Sequence, residues 1–224
     1  MSRLGHLLSI VLITAGLVVL LDAGVTLAYR EPLTSIYGSI KQREAESQLD
    51  DLEAAYPRPS DRRAVVGVRE SRRRISILAR RFAAQVETGE AIGRIEAPDM
   101  DGLDMVFVEG TDTTSLTKGP GHYPETSMPG EPGTVGIAGH RTTYLAPFRH
   151  IDSMRPGDPI TLRMPYGVFT YRVQKTAVVD PSEVGVVRAV GYPRLVLSAC
   201  NPLYSAAERY IVFAKLIAQR PVGE

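Results

Sequence analysis

The alternation of apolar and polar positions changes character twice along the 224 residues. Leu7 to Tyr29 is mostly apolar, its only ionisable side chains being Asp22 and the edge residue Tyr29, with Arg3 before it and Arg30 after it. About 20 mostly apolar residues cover the hydrocarbon core of a bilayer, so this stretch predicts a membrane-spanning helix. The small-residue cleavage site expected behind a cleaved signal peptide is poor, which favours an uncleaved signal anchor. Asp22 lies near one end, where its carboxylate can reach the interface. Arg3 and the amino terminus favour a cytoplasmic start, with the remainder of the chain outside.

Glu31 to Tyr56 is rich in Glu, Gln, Lys and Arg, with Ile36, Ile40, Leu49 and Leu52 spaced along it. It predicts a helical stalk, ended by Pro57-Arg58-Pro59 because prolines remove donors and disfavour helix. Asp61 can cap a second helix, in which Ile75, Leu78, Phe82 and Val86 form a stripe at three- and four-residue spacing. From Gly89 the period becomes two. Strands are predicted over Ile92–Glu96, Leu103–Glu109, Val135–Ala138, Pro159–Met164, Phe169–Asp180, Arg194–Cys200 and Tyr210–Ala218. Gly/Pro breaks such as Pro129-Gly130-Glu131-Pro132-Gly133 and Pro156-Gly157-Asp158 separate them. Many short strands imply a mainly β domain, a barrel or sandwich with short helices. The chain therefore divides into an anchor (1–30), a charged helical stalk or linker (31–88), a β domain (89–220) and a tail (221–224). Whether 31–88 is a rigid stalk, a dimer contact or a groove cover stays open.

Composition narrows the chemistry. Twenty-six Lys and Arg against 25 Asp and Glu give a net charge of +1, with no general pull toward nucleic acid. The balance is local, however. Arg58–Arg81 holds nine Arg against Asp61 and Glu70, whereas Phe82–Val135 holds ten acids against Arg94 and Lys118. The basic segment suits either solvent or an anionic surface such as lipid head groups. One cysteine excludes an intrachain disulfide framework and a Cys-based metal site. No metal motif, P-loop or G-x-S-x-G elbow occurs, and no cofactor is expected.

Cys200 ends the run Leu195-Val196-Leu197-Ser198-Ala199, and Asn201-Pro202 stops the strand behind it. A thiol there either fills the core or faces a groove. His140 stands at the end of another apolar run, in Gly136-Ile137-Ala138-Gly139-His140-Arg141. Thiol chemistry needs a proton partner and a positive group near the developing oxyanion. Arg209, nine residues after Cys200, reaches the same rim if their strands are antiparallel neighbours; it can equally be a surface residue paired to Glu208. His122 sits in a constrained loop and His150 in a surface loop, while His6 belongs to the anchor flank.

In order, Gly119-Pro120-Gly121-His122-Tyr123-Pro124, Pro129-Gly130-Glu131-Pro132-Gly133, Gly136-Ile137-Ala138-Gly139-His140-Arg141-Thr142-Thr143-Tyr144, Ala146-Pro147-Phe148, Arg155-Pro156-Gly157-Asp158 and Leu197-Ser198-Ala199-Cys200-Asn201-Pro202 resemble the sortases, with Arg209 at the family's interval from the cysteine. The resemblance runs from about Gly93 to Leu216 and is greatest to the class E sortases of actinobacteria. It implies an eight-stranded β-barrel, with Cys200 as nucleophile, His140 as proton donor and acceptor, and Arg209 as substrate clamp and oxyanion stabiliser. It also implies a role for Tyr123 in substrate binding. By the same resemblance, the substrates are secreted proteins with a C-terminal Leu-Pro-x-Thr-Gly or Leu-Ala-x-Thr-Gly sorting signal. The acceptor is the amine of a lipid II-type peptidoglycan precursor, and the enzyme acts on the outer face of the cell membrane. One departure is local: the family usually has Thr at the two positions held here by Val196 and Ala199. Alternatives are a pilus-polymerising sortase using a Lys amine, and a non-catalytic wall-binding β module. An L,D-transpeptidase fits less well, because Ala199-Cys200 lacks its His-Gly pattern.

Overall fold

The computed structural model describes residues 3–28 and 32–222; Tyr29, Arg30 and the last two residues of the tail lie outside them. Helix α1 (Arg3–Ala28) contains a 20-residue apolar stretch, Gly5–Gly24, long enough to cross a membrane and with no part of it buried among the described residues. Helix α2 (Pro32–Ala55) follows, then α3 (Pro59–Ala64) and α4 (Ser71–Ala83). The strands are β1 (Ala91–Ala97), β2 (Leu103–Glu109), β3 (Gly121–His122), β4 (Thr134–Ala138), β5 (Pro159–Met164), β6 (Gly167–Val179), β7 (Arg194–Asn201) and β8 (Glu208–Pro221). A four-residue helix α5 (Thr113–Leu116) lies between β2 and β3, capped by the Asp112 carboxylate on the Thr114 and Ser115 amides.

The strands close into one barrel in the order β1-β2-β3-β4-β7-β8-β6-β5. Closure removes every free sheet edge, which an open sheet of short strands would expose. Two neighbouring pairs, β2–β3 and β4–β7, run parallel, and the others are antiparallel. The eight-stranded barrel matches expectation. The strand that alternation does not reveal is β3, whose two residues are too few to show a period.

Inside the barrel, Ile95, Phe107, Ile137, Leu162, Phe169, Leu197 and Val212 are fully buried. The predicted second helix is two. The segment Val65–Glu70 interrupts it, with Gly67 at φ +77. Asp61 stands in the third position of α3 rather than at a cap. It is fully buried, accepting the Arg58 amide and an Arg81 Nε bond of 2.6 Å. The stripe Ile75, Leu78 and Phe82 of α4 joins the barrel core, and Tyr56 closes over it, its hydroxyl donating to the Leu78 carbonyl at 2.8 Å.

Helix α2 lies along β1 and β2. Ala45 and Leu49 pack on Ala91 and Val106. Buried Gln42 exchanges two bonds with the Val106 backbone: its amide donates at 3.1 Å and its carbonyl accepts at 2.6 Å. A buried amide satisfied in this way fixes the helix along its axis, since sliding it would orphan both groups.

Candidate active site

Alternation along β7 decides where its thiol points. Leu195, Leu197 and Ala199 belong to the barrel interior. Val196 belongs to a separate outer cluster with Ile211 and Phe213 of β8. Side chains two apart share a face, so Val196, Ser198 and Cys200 line the outer surface. Cys200 is a free, partly exposed thiol there, not a core residue. In the antiparallel β7–β8 ladder Cys200 pairs with Arg209, Ser198 with Ile211 and Val196 with Phe213. Thus Arg209 lies directly across from Cys200 on the same face. Its Nη1 donates to the Ala206 and Glu208 carbonyls at 2.9 Å each, anchoring one arm of the guanidinium to backbone.

His140 arrives from the other side. The parallel β4–β7 ladder ends at the pair Ala138–Ser198, and the Gly139 amide donates to the Ser198 carbonyl at 3.1 Å. His140 is two residues beyond Ala138, as Cys200 is two beyond Ser198. Gly139 makes this approach possible: a Cβ there would stand 2.7 Å from the buried Phe148 ring. The His140 imidazole lies 5.3 Å from the Tyr144 ring, and its Nε2 is buried without a hydrogen-bond partner among the described residues. Burial lowers the imidazole pKa below its ordinary 6.5, because desolvation disfavours the cation.

Tyr123 leaves β3 and lies over Gly136; its amide donates to the Gly136 carbonyl at 3.0 Å, and its hydroxyl and Ser198 Oγ are 2.9 Å apart. Tyr123, Ser198, Arg209 and Ile211 form one side of a cavity of about 100 Å³. Asp180 and Val184, from the β6–β7 connection, help form the other. A larger cleft of about 680 Å³ lies between α4 and the β5–β6 turn and is lined by none of Cys200, His140 and Arg209. The remaining histidines lie elsewhere. His122 is buried and bonded through Nδ1 to Glu109 at 2.9 Å and through Nε2 to the Ser127 carbonyl at 3.2 Å. His150 is exposed, 3.6 Å from the Asp101 carboxylate.

Arg141 is a residue that sequence reasoning missed. It is only 3% exposed. Its guanidinium donates to Asp152 at 2.7 Å, to Asn201 Oδ1 at 3.1 Å, and at longer range to the Cys200 and Arg149 carbonyls. One fork therefore ties the strand end bearing Cys200 to the loop bearing His140. The only signal in the sequence is its place beside His140, and an Arg next to a loop threonine pair reads equally as solvent-facing.

A thiol facing a guanidinium across a ladder, with an imidazole on the adjoining strand end, fits the cysteine transpeptidases among β-barrel proteins. Comparison with known proteins agrees. Residues 95–217 match the model of the sortase domain. Sortase D of Bacillus subtilis is 36% identical over 135 residues, covering 58% of this chain and 66% of that protein. Sortase SrtE1 of Streptomyces coelicolor is 32% identical over 158 residues, covering 63% of this chain and 45% of that protein. The chain thus spans less than two thirds of the length of either relative. Among solved structures, sortase E from Streptomyces avermitilis is 31% identical with a TM-score of 0.56, over 62% of this chain and 96% of that one. A Clostridium perfringens sortase D5 transpeptidase shares the fold at a TM-score of 0.62 and 24% identity, over 77% of this chain and 98% of that one. The chain belongs to the sortase family.

Proposed function

We propose that this chain is a membrane-anchored cysteine transpeptidase that cleaves a Leu-Pro-x-Thr-Gly or Leu-Ala-x-Thr-Gly type sorting signal between Thr and Gly. The observation that carries the reading is the outward face of β7, which sets Cys200 against Arg209 and beside the strand end that leads to His140. The Cys200 thiolate attacks the Thr carbonyl carbon. The Arg209 guanidinium, a fork of donors anchored by one arm, stabilises the oxyanion that develops. The tetrahedral adduct collapses with cleavage of the Thr–Gly bond, and the leaving Gly nitrogen takes the proton held on His140. A thioester joins Thr to Cys200. An incoming amine then gives a proton to neutral His140 as it attacks the thioester, and the thiolate leaves, which restores the starting state. Amine transfer needs water kept from the thioester, which a groove walled by Tyr123 and the β6–β7 connection favours.

The apolar stretch Gly5–Gly24 supports anchoring in the cell membrane, and Arg3 with the amino terminus ahead of it favours the barrel on the outer face. Secreted proteins with sorting signals are then the acyl donors, and a peptidoglycan-precursor amine near the membrane is the acceptor. The class E likeness stands beside an equally clear likeness to a sortase D. Because class E members prefer Ala at the second motif position, we propose Tyr123 as the groove residue that reads it. The test offers full-length protein in detergent micelles a Leu-Ala-x-Thr-Gly peptide and a glycine amine, with Cys200→Ala alongside. A transfer product absent in the variant is expected. Transfer undiminished by Cys200→Ala would overturn the reading.

A further inference from the structure

Helix α2 reaches the loop that carries His140. Tyr37 sets its ring edge-on to Tyr144, with centroids 6.2 Å apart and planes at 66°, and the Tyr144 ring in turn lies 5.3 Å from the His140 imidazole. Next to it, Gly38 is buried against the Tyr144 backbone. A Cβ at Gly38 would stand 3.0 Å from the Tyr144 carbonyl carbon and 3.1 Å from its Cα. The loop segment beneath is strained: Tyr144, Leu145 and Ala146 have φ of 49°, 68° and 47°. Left-handed backbone is disfavoured for every non-glycine residue, and a run of it persists only where its surroundings hold it. Within the loop, the Ala146 amide donates to Thr143 and the Phe148 amide to His140. From outside, α2 closes on it.

A catalytic imidazole needs something to fix its ring, because the last torsion of His is broad. In triads a carboxylate does this through a hydrogen bond. Here no side chain among the described residues hydrogen-bonds the His140 ring, and Tyr144 packs against it. We propose that Tyr144 is a positioning residue for His140 and that α2, through Tyr37 and Gly38, holds it in place. The helix leading from the apolar segment is then a working part of the transfer site rather than a passive stalk. This rests on the reading of His140 as the proton carrier. The ionisable groups on the elements meeting here are Tyr37 and Lys41 on α2, Arg141, Tyr144 and Arg149 on the loop, Cys200 on β7 and Arg209 on β8.

The test compares full-length wild type with Tyr144→Ala, Tyr144→Phe and Gly38→Val in detergent micelles. Two readouts are taken: kcat and KM for peptide transfer, and the titration of His140 by NMR with 13C-labelled histidine, assigned through its loss in His140→Gln. Tyr144→Ala is expected to lower kcat about 10- to 100-fold with KM within about twofold. It should also raise the His140 midpoint toward the ordinary histidine value as water reaches the ring. Tyr144→Phe should restore both, since the contact is ring on ring. Gly38→Val should follow Tyr144→Ala, since a branched side chain drives α2 off the loop. Folded Tyr144→Ala with wild-type kcat and wild-type titration overturns the proposal. So does Tyr144→Phe as impaired as Tyr144→Ala. If Tyr144→Ala loses its cooperative unfolding transition, Tyr37→Ala decides by the same two readouts. If wild type transfers no peptide, the proposed function fails, and the titration still decides the positioning role.

Discussion

Replacing Arg141 with Met removes the clamp between the strand end that bears Cys200 and the loop that bears His140 while keeping most of the buried volume. The cost follows from the partners left behind. The Cys200 and Arg149 carbonyls lose their side-chain donor, at about 1 kcal/mol each. Asp152 is 51% exposed and rehydrates, so its lost ion pair adds less than about 1 kcal/mol. Asn201 keeps its bond to Glu208 at 2.8 Å and adds little. The sum is about 2–3 kcal/mol, which for a domain of this size lowers the unfolding midpoint by roughly 5–10 °C. Activity should fall further than stability requires, because the strand end bearing Cys200 is no longer tied to the His140 loop. The assay is thermal unfolding by circular dichroism on the full chain, with kcat measured well below the midpoint. Arg141→Lys keeps the charge but not the fork, so it should recover only part of either loss. A midpoint within about 2 °C of wild type together with unchanged kcat would show that Arg141 does not act as this clamp.

Arg209→Lys should lower kcat about 100-fold with a normal fold, since a point charge replaces an anchored fork at the oxyanion; steady-state transfer kinetics check this. Tyr123→Phe removes the contact with Ser198 and should cost about 1 kcal/mol or less in stability while altering selectivity between Ala and Pro at the second motif position; a peptide panel reads it. The rising limb of the pH–rate profile should lie below pH 6.5, because burial depresses His140. The stability linked to that neutral ring is complete above 6.5 and is lost as pH falls toward the folded value, which unfolding at stepped pH would show. Leu49→Ala should cost about 2–5 kcal/mol by unseating α2 from Ala91 and Val106, read by the unfolding midpoint.

Much of the barrel was legible because its strands alternate and Gly/Pro breaks separate them; seven of the eight follow from that pattern. The face of Cys200 was not legible from alternation. Leu195 and Val196 are both apolar, so the run has no polar side, and only the outer cluster around Val196 shows which face is which. The packing of α2 was hidden for a related reason. Its seat on β1 and β2 involves Gln42, Ala45 and Leu49, a polar, a small and a large apolar residue, whereas Ile36 and Ile40, apolar positions that mark the stretch, are 62% and 51% exposed. The break between α3 and α4 was masked by a continuous Arg-rich pattern with Gly67 as its one interruption. Arg141 was hidden because burial of a charge depends on partners from Asp152 and Asn201, 11 and 60 residues away.

The most direct test of the central claim is intact-mass analysis of the full chain incubated with a Leu-Ala-x-Thr-Gly peptide and no acceptor amine. An adduct equal to the peptide through Thr is expected, mapped to Cys200, absent in Cys200→Ala and discharged when a glycine amine is added. An adduct on any other residue, or amine transfer that proceeds in Cys200→Ala, would contradict it.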